Sequence, residues 1–184
     1  MEDYHDLFRR LVKAFGIAEL DYVFTGALAA SFYGLPRTTT DIDVVVKISG
    51  EGAKRKLVHA LTQIGVRADE KEIDRALASD HRIVTFADSK TAYTIDFIFS
   101  SEKPKKRAGT VAGVQAFFQT PEDLISAKLR MIKITMPRER ALKDEEDIRA
   151  ILKFSDADIE AVKRKAKKET TLSIFEALIA SEVP

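Results

Sequence analysis

Asp41 and Asp43 flank Ile42 and run straight into Val44-Val45-Val46. Residues i and i+2 of a strand project from one face, so the two carboxylates should stand side by side. Aspartate is depleted in strands, and an ionised carboxylate is costly to bury without a partner. Two of them at the head of an apolar strand repel each other unless positive charge lies between. A divalent cation is the most economical source of that charge, and hard oxygen donors of this kind suit Mg2+ or Mn2+. Upstream, Tyr22-Val23-Phe24-Thr25 reads as a short strand, and Gly26 opens a helix over Ala27 to Tyr33. A glycine at a strand-to-helix turn lets a phosphate approach the N–H groups of the helix N-terminus. Phosphate cradle and metal carboxylates in one short unit describe a nucleotide site. Downstream, Asp96 is the single charge in Tyr93–Phe99. It is either an edge-strand aspartate facing water or a third functional carboxylate.

The composition bounds what can surround such a site. At 184 residues the chain makes one domain, or one domain with a helical appendage. Hydrophobic residues at 45% and charged residues at 32% allow an ample core under a solvated surface. No apolar run approaches the roughly 20 residues that span a bilayer. The N-terminus, MEDYHDLFRR, has no apolar core of a secretory signal, so a cytoplasmic location and no membrane association are expected. The absence of cysteine excludes disulfides, thiolate zinc sites and a cysteine nucleophile. A net charge of +1 gives no global attraction to nucleic acid, so any such binding must be local.

The elements that position these residues follow from periodicity. Leu7, Phe8, Leu11, Val12 and Phe15 share one face of a helix over Asp3–Phe15. Gly34 to Thr40 is a loop, in which Arg37 either closes a turn at the surface or meets a nucleotide phosphate or the aspartate pair. Ser49–Gly52 reads as a turn, and Ala53–Ile64 as a helix that Gly65 ends, with His59 on its solvated side. Val66–Ser79 is polar, a short helix or a loop. Arg82–Phe86 and Tyr93–Phe99 form a hairpin through Asp88-Ser89-Lys90. The basic stretch Ser101–Arg107 reads as a solvated loop or an RNA or nucleotide contact, and Val111–Phe118 as the last strand.

Thr120-Pro121-Glu122-Asp123 is a strong helix start, with a capping hydroxyl, proline at the first position and acids on the dipole. In the helix that follows, to about Lys133, Lys128 shares the apolar face of Leu124 and Ile132. It either snorkels or reaches inward to an acidic cluster or a phosphate. Beyond a turn at Pro137, Lys143 and Asp147 have the spacing of an i,i+4 pair, while Asp144 and Asp147 share the inward side of Ile148 and Ile151. Ser155 or Asp156 caps a further helix carrying Lys163–Lys168, read as a solvated face or a patch for a polynucleotide acceptor. Leu172–Ile179 is a short final helix that covers the bundle or makes a dimer contact. The fold class expected is α/β: a small mixed sheet with helices packed on it, then a C-terminal helical segment.

Gly26-Ala27, a spacer, and Asp41-Ile42-Asp43 resemble the signature of the DNA polymerase β-like nucleotidyltransferase superfamily, a Gly-Ser turn followed by an Asp-x-Asp pair on the next strand. The fuller run G-A-L-A-A-S-F-Y-G, with Arg37, Thr39 and the aspartates, is similar to its small prokaryotic members, the minimal nucleotidyltransferases and the AbiEii-like toxin-type proteins. The resemblance covers roughly Tyr22 to Phe154. It implies a nucleotidyltransferase core over residues 1–120 and a helical segment over 121–184. It also implies Mg2+- (or Mn2+-) dependent transfer of a nucleoside monophosphate from an NTP to a hydroxyl of RNA such as tRNA, of a protein or of a small molecule. Asp41, Asp43 and Asp96 would be the catalytic and metal-binding carboxylates, with Asp96 as general base. Gly26, Ala27, Arg37 and Lys128, the last in a matching Lys-Leu pair, would bind the nucleotide, as would Lys143 and Asp144, which lie in a similar basic-and-aspartate stretch. An antitoxin-type partner or a homodimer is a further implication. The family's serine is Ala27 here, which removes a hydroxyl contact to the triphosphate. That departure leaves open a non-catalytic binding or antitoxin-like module, and the basic segments leave open an RNA-binding accessory protein.

Overall fold

Every second residue of Asp41–Lys47 is buried, and the same alternation runs through Thr94–Ser100. That period of two is the mark of strands with one face in a core. In a computed structural model, which describes residues 2–34, 36–135 and 138–180, they are neighbours in a six-stranded sheet. The strands are β1 (Tyr22–Phe24), β2 (Asp41–Lys47), β3 (Ile83–Ala87), β4 (Thr94–Ser100), β5 (Lys106–Val111) and β6 (Val114–Gln119), ordered β3-β4-β2-β1-β6-β5. Pairing is mixed: β2 runs parallel to β4 and β1 to β6, and the other neighbours are antiparallel. The expected mixed sheet with helices is therefore what the chain forms.

The helices are α1 (Glu2–Ile17), α2 (Gly26–Phe32), α3 (Gly50–Gln63), α4 (Glu70–Ala78), α5 (Pro121–Ile134), α6 (Arg138–Phe154), α7 (Ile159–Lys168) and α8 (Leu172–Ala180). The chain divides into two compact units. Residues 1–28 and 38–119 make one, which holds the sheet; residues 29–37 and 120–184 make the other. Among the described residues no helix is long and apolar enough to cross a membrane.

In the sheet unit, one face is apolar. Ile42, Val44, Ile95, Phe97, Phe24 and Phe118 are fully buried, and Leu7, Phe8, Leu11 and Phe15 of α1 are buried with them. Phe15 sets its ring against Tyr22, Phe24 and Phe97, with centroids 4.8, 6.5 and 6.2 Å away. Aromatic edge contacts of this kind add to plain area burial. Burial also pushes the Tyr22 hydroxyl up to about 12.

Arg10 fixes α1 in place. Its guanidinium donates to both oxygens of Asp88 at 3.0 and 2.8 Å and to the Ile64 carbonyl at 2.6 Å. Burial works to raise the Asp88 carboxyl, but Arg10 and the Thr91 hydroxyl outweigh it and hold the group below its ordinary value. A carboxyl depressed in the folded state contributes stability that is complete above its unfolded value near pH 4 and is lost as pH falls through the folded value. Urea denaturation at pH 7 and pH 3 is therefore expected to show Asp88→Asn less stable by about 2–3 kcal/mol at pH 7, with a smaller gap from wild type at pH 3.

Four local expectations are corrected. The last strand is a hairpin, β5 and β6 joined at Ala112-Gly113, because the polar edge sequence KRAGTV carries no alternation. Part of the basic loop is thus strand: Lys103 and Lys106 both pair with Asp21 at 3.0 Å, and Lys106 lies 4.9 Å over the Phe117 ring. Charge of this kind on an edge strand also blocks edge-to-edge pairing. The helix read from Ala53 begins at Gly50, while the polar stretch before Ser79 takes the helical one of its two readings, α4, capped by Asp69. In the helical unit, α7 is capped by Asp158, whose Oδ1 accepts from the Ala161 N–H at 3.0 Å; the Ser155 hydroxyl instead donates to the Ile151 carbonyl. Thr120 caps α5 as expected, Lys165 of the basic run pairs with Asp123, and Phe175 of α8 is fully buried. The turn expected at Pro137 lies outside the described residues.

Candidate active site

Register brings the aspartates together. β2 and β4 run parallel with Asp43 opposite Asp96 and Asp41 opposite Thr94. Side chains of residues paired in this way share a face, and Asp41, Asp43, Thr94 and Asp96 are all half-buried on the face opposite Ile42 and Phe97. β3 continues the row, placing Thr85 opposite Asp96, and the Thr85 hydroxyl donates to Asp96 Oδ1 at 2.6 Å. On the other side the Thr25 N–H donates to the Asp43 carbonyl at 3.0 Å, and the Thr25 hydroxyl reaches Gln119. A polar row, Thr85, Asp96, Asp43, Thr25 and Gln119, thus crosses the sheet from β3 to β6. Asp96 sits on an interior strand, so the edge-strand reading of it fails.

The antiparallel pairing of β1 and β2 carries the end of β1 to the head of β2. There Gly26 turns the chain with φ +59°, and a Cβ added to it would fall 1.9 Å from Asp43 Oδ2. The glycine thus seats the carboxylate as well as opening the helix. Gly26→Ala is expected to cost about 1–3 kcal/mol from the left-handed backbone and the displaced carboxylate together. In an Asp43→Ala background, denaturant unfolding should show a smaller loss, because only the backbone strain then remains.

The electrostatics of the row are negative. The Tyr4 hydroxyl, which donates to the Asp41 carbonyl at 3.4 Å, is raised first by burial and then by Asp43 and Asp41. Thr39 donates its hydroxyl to Asp41 Oδ1. The three carboxylates do not form a ready-made metal nest: among the described residues no three His, Cys, Asp or Glu side chains gather closely enough to hold an ion. Asp41 and Asp96 each accept from a threonine hydroxyl, of Thr39 and Thr85 respectively. Asp41 and Asp43 still fit Mg2+, which is commonly held by one or two carboxylates, with waters and substrate phosphates completing the shell.

Arg37, Lys128, Lys143 and Asp144 lie in the helical unit. Arg37 pairs with Asp147, not with the aspartates of β2. Lys128 is 6% exposed; its ammonium donates to Asp144 at 3.0 Å and to Asp147. Asp147 is the hub of this quartet. Its side chain is 1% exposed, Oδ2 accepts from both cations, and Oδ1 is buried with no hydrogen-bond partner among the described residues. The alternative reading of an i,i+4 Lys143–Asp147 pair does not hold: Lys143 is exposed, and Asp147, turned inward on α6, pairs with Arg37 and Lys128 instead. The inward placement of Asp147 beside Ile148 and Ile151 is as expected; what the sequence did not show is that Arg37 and Lys128 meet there. Ala27 is half-buried in the first turn of α2 and supplies no hydroxyl.

A mixed sheet bearing this Asp-x-Asp strand beside a glycine turn defines a nucleotidyltransferase fold. Solved structures agree on the fold. The solution structure of the antibiotic-resistance factor ANT(2'')-Ia matches with a TM-score of 0.66 at 15% identity, over 98% of this chain and 95% of that one. ANT(2'')-Ia in complex with adenylyl-2''-tobramycin matches at 0.63 and 14%, over 95% and 98% of the two chains. An antigenic nucleotidyltransferase-like protein from Paracoccidioides brasiliensis matches at 0.60 and 14%, over 98% and 94%. No curated protein sequence matches the chain. The family model for the nucleotidyl transferase AbiEii toxin of type IV toxin–antitoxin systems matches residues 6–180, and the chain belongs to that family. It is a nucleotidyltransferase of toxin–antitoxin type.

Proposed function

We propose that the protein transfers a nucleoside monophosphate from an NTP, in a Mg2+-dependent reaction, to a hydroxyl of an RNA such as tRNA or of a protein. The observation that carries this reading is the in-register pairing of Asp43 with Asp96, with Asp41 on the same face. Asp41 and Asp43 hold the cation and Asp96 is the third carboxylate. A Mg2+ ion held there would supply charge neutralisation for the triphosphate and the departing pyrophosphate in an in-line displacement. Asp96 takes the proton of the attacking hydroxyl: Thr85 occupies Oδ1, and Oδ2 is the accepting oxygen. Thr85 and Thr39 orient Asp96 and Asp41 before substrate arrives.

In this scheme Gly26 and Ala27 meet the phosphates through backbone N–H groups, and residues 1–120 act as the transferase core. Arg37, Lys128, Lys143 and Asp144 are the helical unit's own candidates for a nucleotide role. An antitoxin-type partner follows from the family. A cytoplasmic location suits NTP-dependent chemistry.

A second reading, a non-catalytic module, rests on Ala27 where the family has serine, and the retained trio of Asp41, Asp43 and Asp96 weighs against it. The two separate in one assay. Purified protein is incubated with each α-32P-labelled NTP, Mg2+, and either total tRNA or a protein extract. Label on one acceptor class that is lost with EDTA supports transfer. No labelled product with any NTP, from a folded protein, supports the module.

A further inference from the structure

The sheet unit carries a concavity whose lining includes none of the residues of the polar row. A trough of about 640 Å3 runs between α1 and α3, with Ala14, Ile17, Ala60 and Ile64 in its walls. Two features show that it is built. Arg10 bridges the Ile64 carbonyl at the end of α3 to the buried Asp88 carboxylate, which holds the two helices in register at that end. Gly65, with φ +85°, lets the β3–β4 connection lie close: a Cβ there would be 2.9 Å from Ser89 Oγ and 3.5 Å from Lys90 Cε. That close approach sets Lys90 at the rim.

The lining has an unusual charge balance. Lys13, Lys56 and Lys90 are exposed on it, and none of them forms an ion pair among the described residues. The charge of Arg10 is spent on Asp88 and Asp6, and Glu19 is the one acid in the lining. On a chain whose net charge is +1, this is a local concentration of cations. Below it the walls are mostly apolar, and Ile17 stands 76% exposed. A volume in the range of small-molecule pockets, apolar walls and a few convergent cations describe the complement of an amphiphile. A polyanion such as RNA would satisfy the lysines and leave the apolar walls uncovered.

We propose that the α1–α3 trough binds a small amphiphilic anion, an aliphatic or aromatic body carrying a carboxylate or sulfonate. The body lies on Ala14, Ile17, Ala60 and Ile64, and the anionic group lies among Lys13, Lys56 and Lys90. The site is independent of the polar row and of the reaction proposed for it.

The probes are 1-anilinonaphthalene-8-sulfonate, its uncharged relative N-phenyl-1-naphthylamine, and dodecanoate as competitor. Saturable binding of the sulfonate at one site is expected, with a dissociation constant on the order of tens of micromolar for a ligand of this size. Amide shifts should cluster at residues 14–18 and 60–64. Dodecanoate competition separates an aliphatic from a purely aromatic preference. Lys13→Glu/Lys56→Glu, both at exposed positions, should weaken the sulfonate about tenfold and leave the neutral probe unchanged. Ala18→Leu, which fills the trough from its edge, should weaken both probes. Thermal unfolding of each variant checks that the fold persists, and the lysine pair tests the proposal even where Ala18→Leu does not fold. Absence of saturable binding to wild type overturns the site. Equal binding of the two probes, or indifference to the charge reversal, overturns the anion assignment.

Discussion

Asp43→Asn is expected to abolish nucleotidyl transfer, by about 10^3-fold or more, while the sheet unit stays folded. Asp43 is half-buried between the Gly26 turn and the β4 strand, and asparagine keeps its volume while removing the charge that a Mg2+–triphosphate needs. Asp96→Asn should behave differently. Its role toward the acceptor hydroxyl predicts a similar loss of turnover with nucleotide binding largely kept. Steady-state transfer rates, set beside NTP affinity for the two variants, separate the roles. Equal loss of affinity in both would make Asp96 a metal ligand first. Unimpaired transfer by Asp43→Asn would remove the proposed site altogether.

The second large effect is on stability. Asp147→Ala should destabilise the helical unit by about 3–5 kcal/mol, because it strands two cations, one of them the buried Lys128. Replacing the buried pair together, as in Lys128→Met/Asp147→Leu, should recover part of that loss, since the buried Lys128 charge is then gone and only the more exposed Arg37 and Asp144 lose a partner. Lys143→Ala should change stability by less than about 0.5 kcal/mol, as expected of an exposed side chain with no ion pair among the described residues. Denaturant unfolding followed by far-ultraviolet circular dichroism measures all three. A loss below about 1 kcal/mol in Asp147→Ala would mean that the quartet is not a structural hub, leaving substrate binding as the reason for its burial.

The sheet face bearing the aspartates was legible because it rests on period-two alternation, the strongest local signal in the chain. Asp41, Asp43 and Asp96 each interrupt an apolar strand at a predictable phase, and the parallel register of β2 and β4 turned that phase into adjacency. The turn at Gly26 was legible for the same reason, a glycine between a strand and a helix. What failed was long-range pairing of charges. Arg37, 110 residues before Asp147 in the chain, gave no local sign of its partner. The i,i+4 rule favoured Lys143 for Asp147, but the helix turned Asp147 inward and Lys143 to solvent. β5 escaped because an exposed edge strand needs no apolar alternation, so its basic residues read as a loop. The Arg10–Asp88 bridge was missed likewise, both residues looking ordinary in their own helix and turn.

The central claim is that Asp41 and Asp43 make a metal-dependent nucleotide site despite Ala27. Calorimetric titration with a slowly reacting NTP analogue, with and without Mg2+, tests it on wild type and on Asp41→Ala/Asp43→Ala. The account predicts binding by wild type that requires Mg2+ and disappears in the double variant. Absence of binding by folded wild type, or binding indifferent to both Mg2+ and the aspartates, would contradict it.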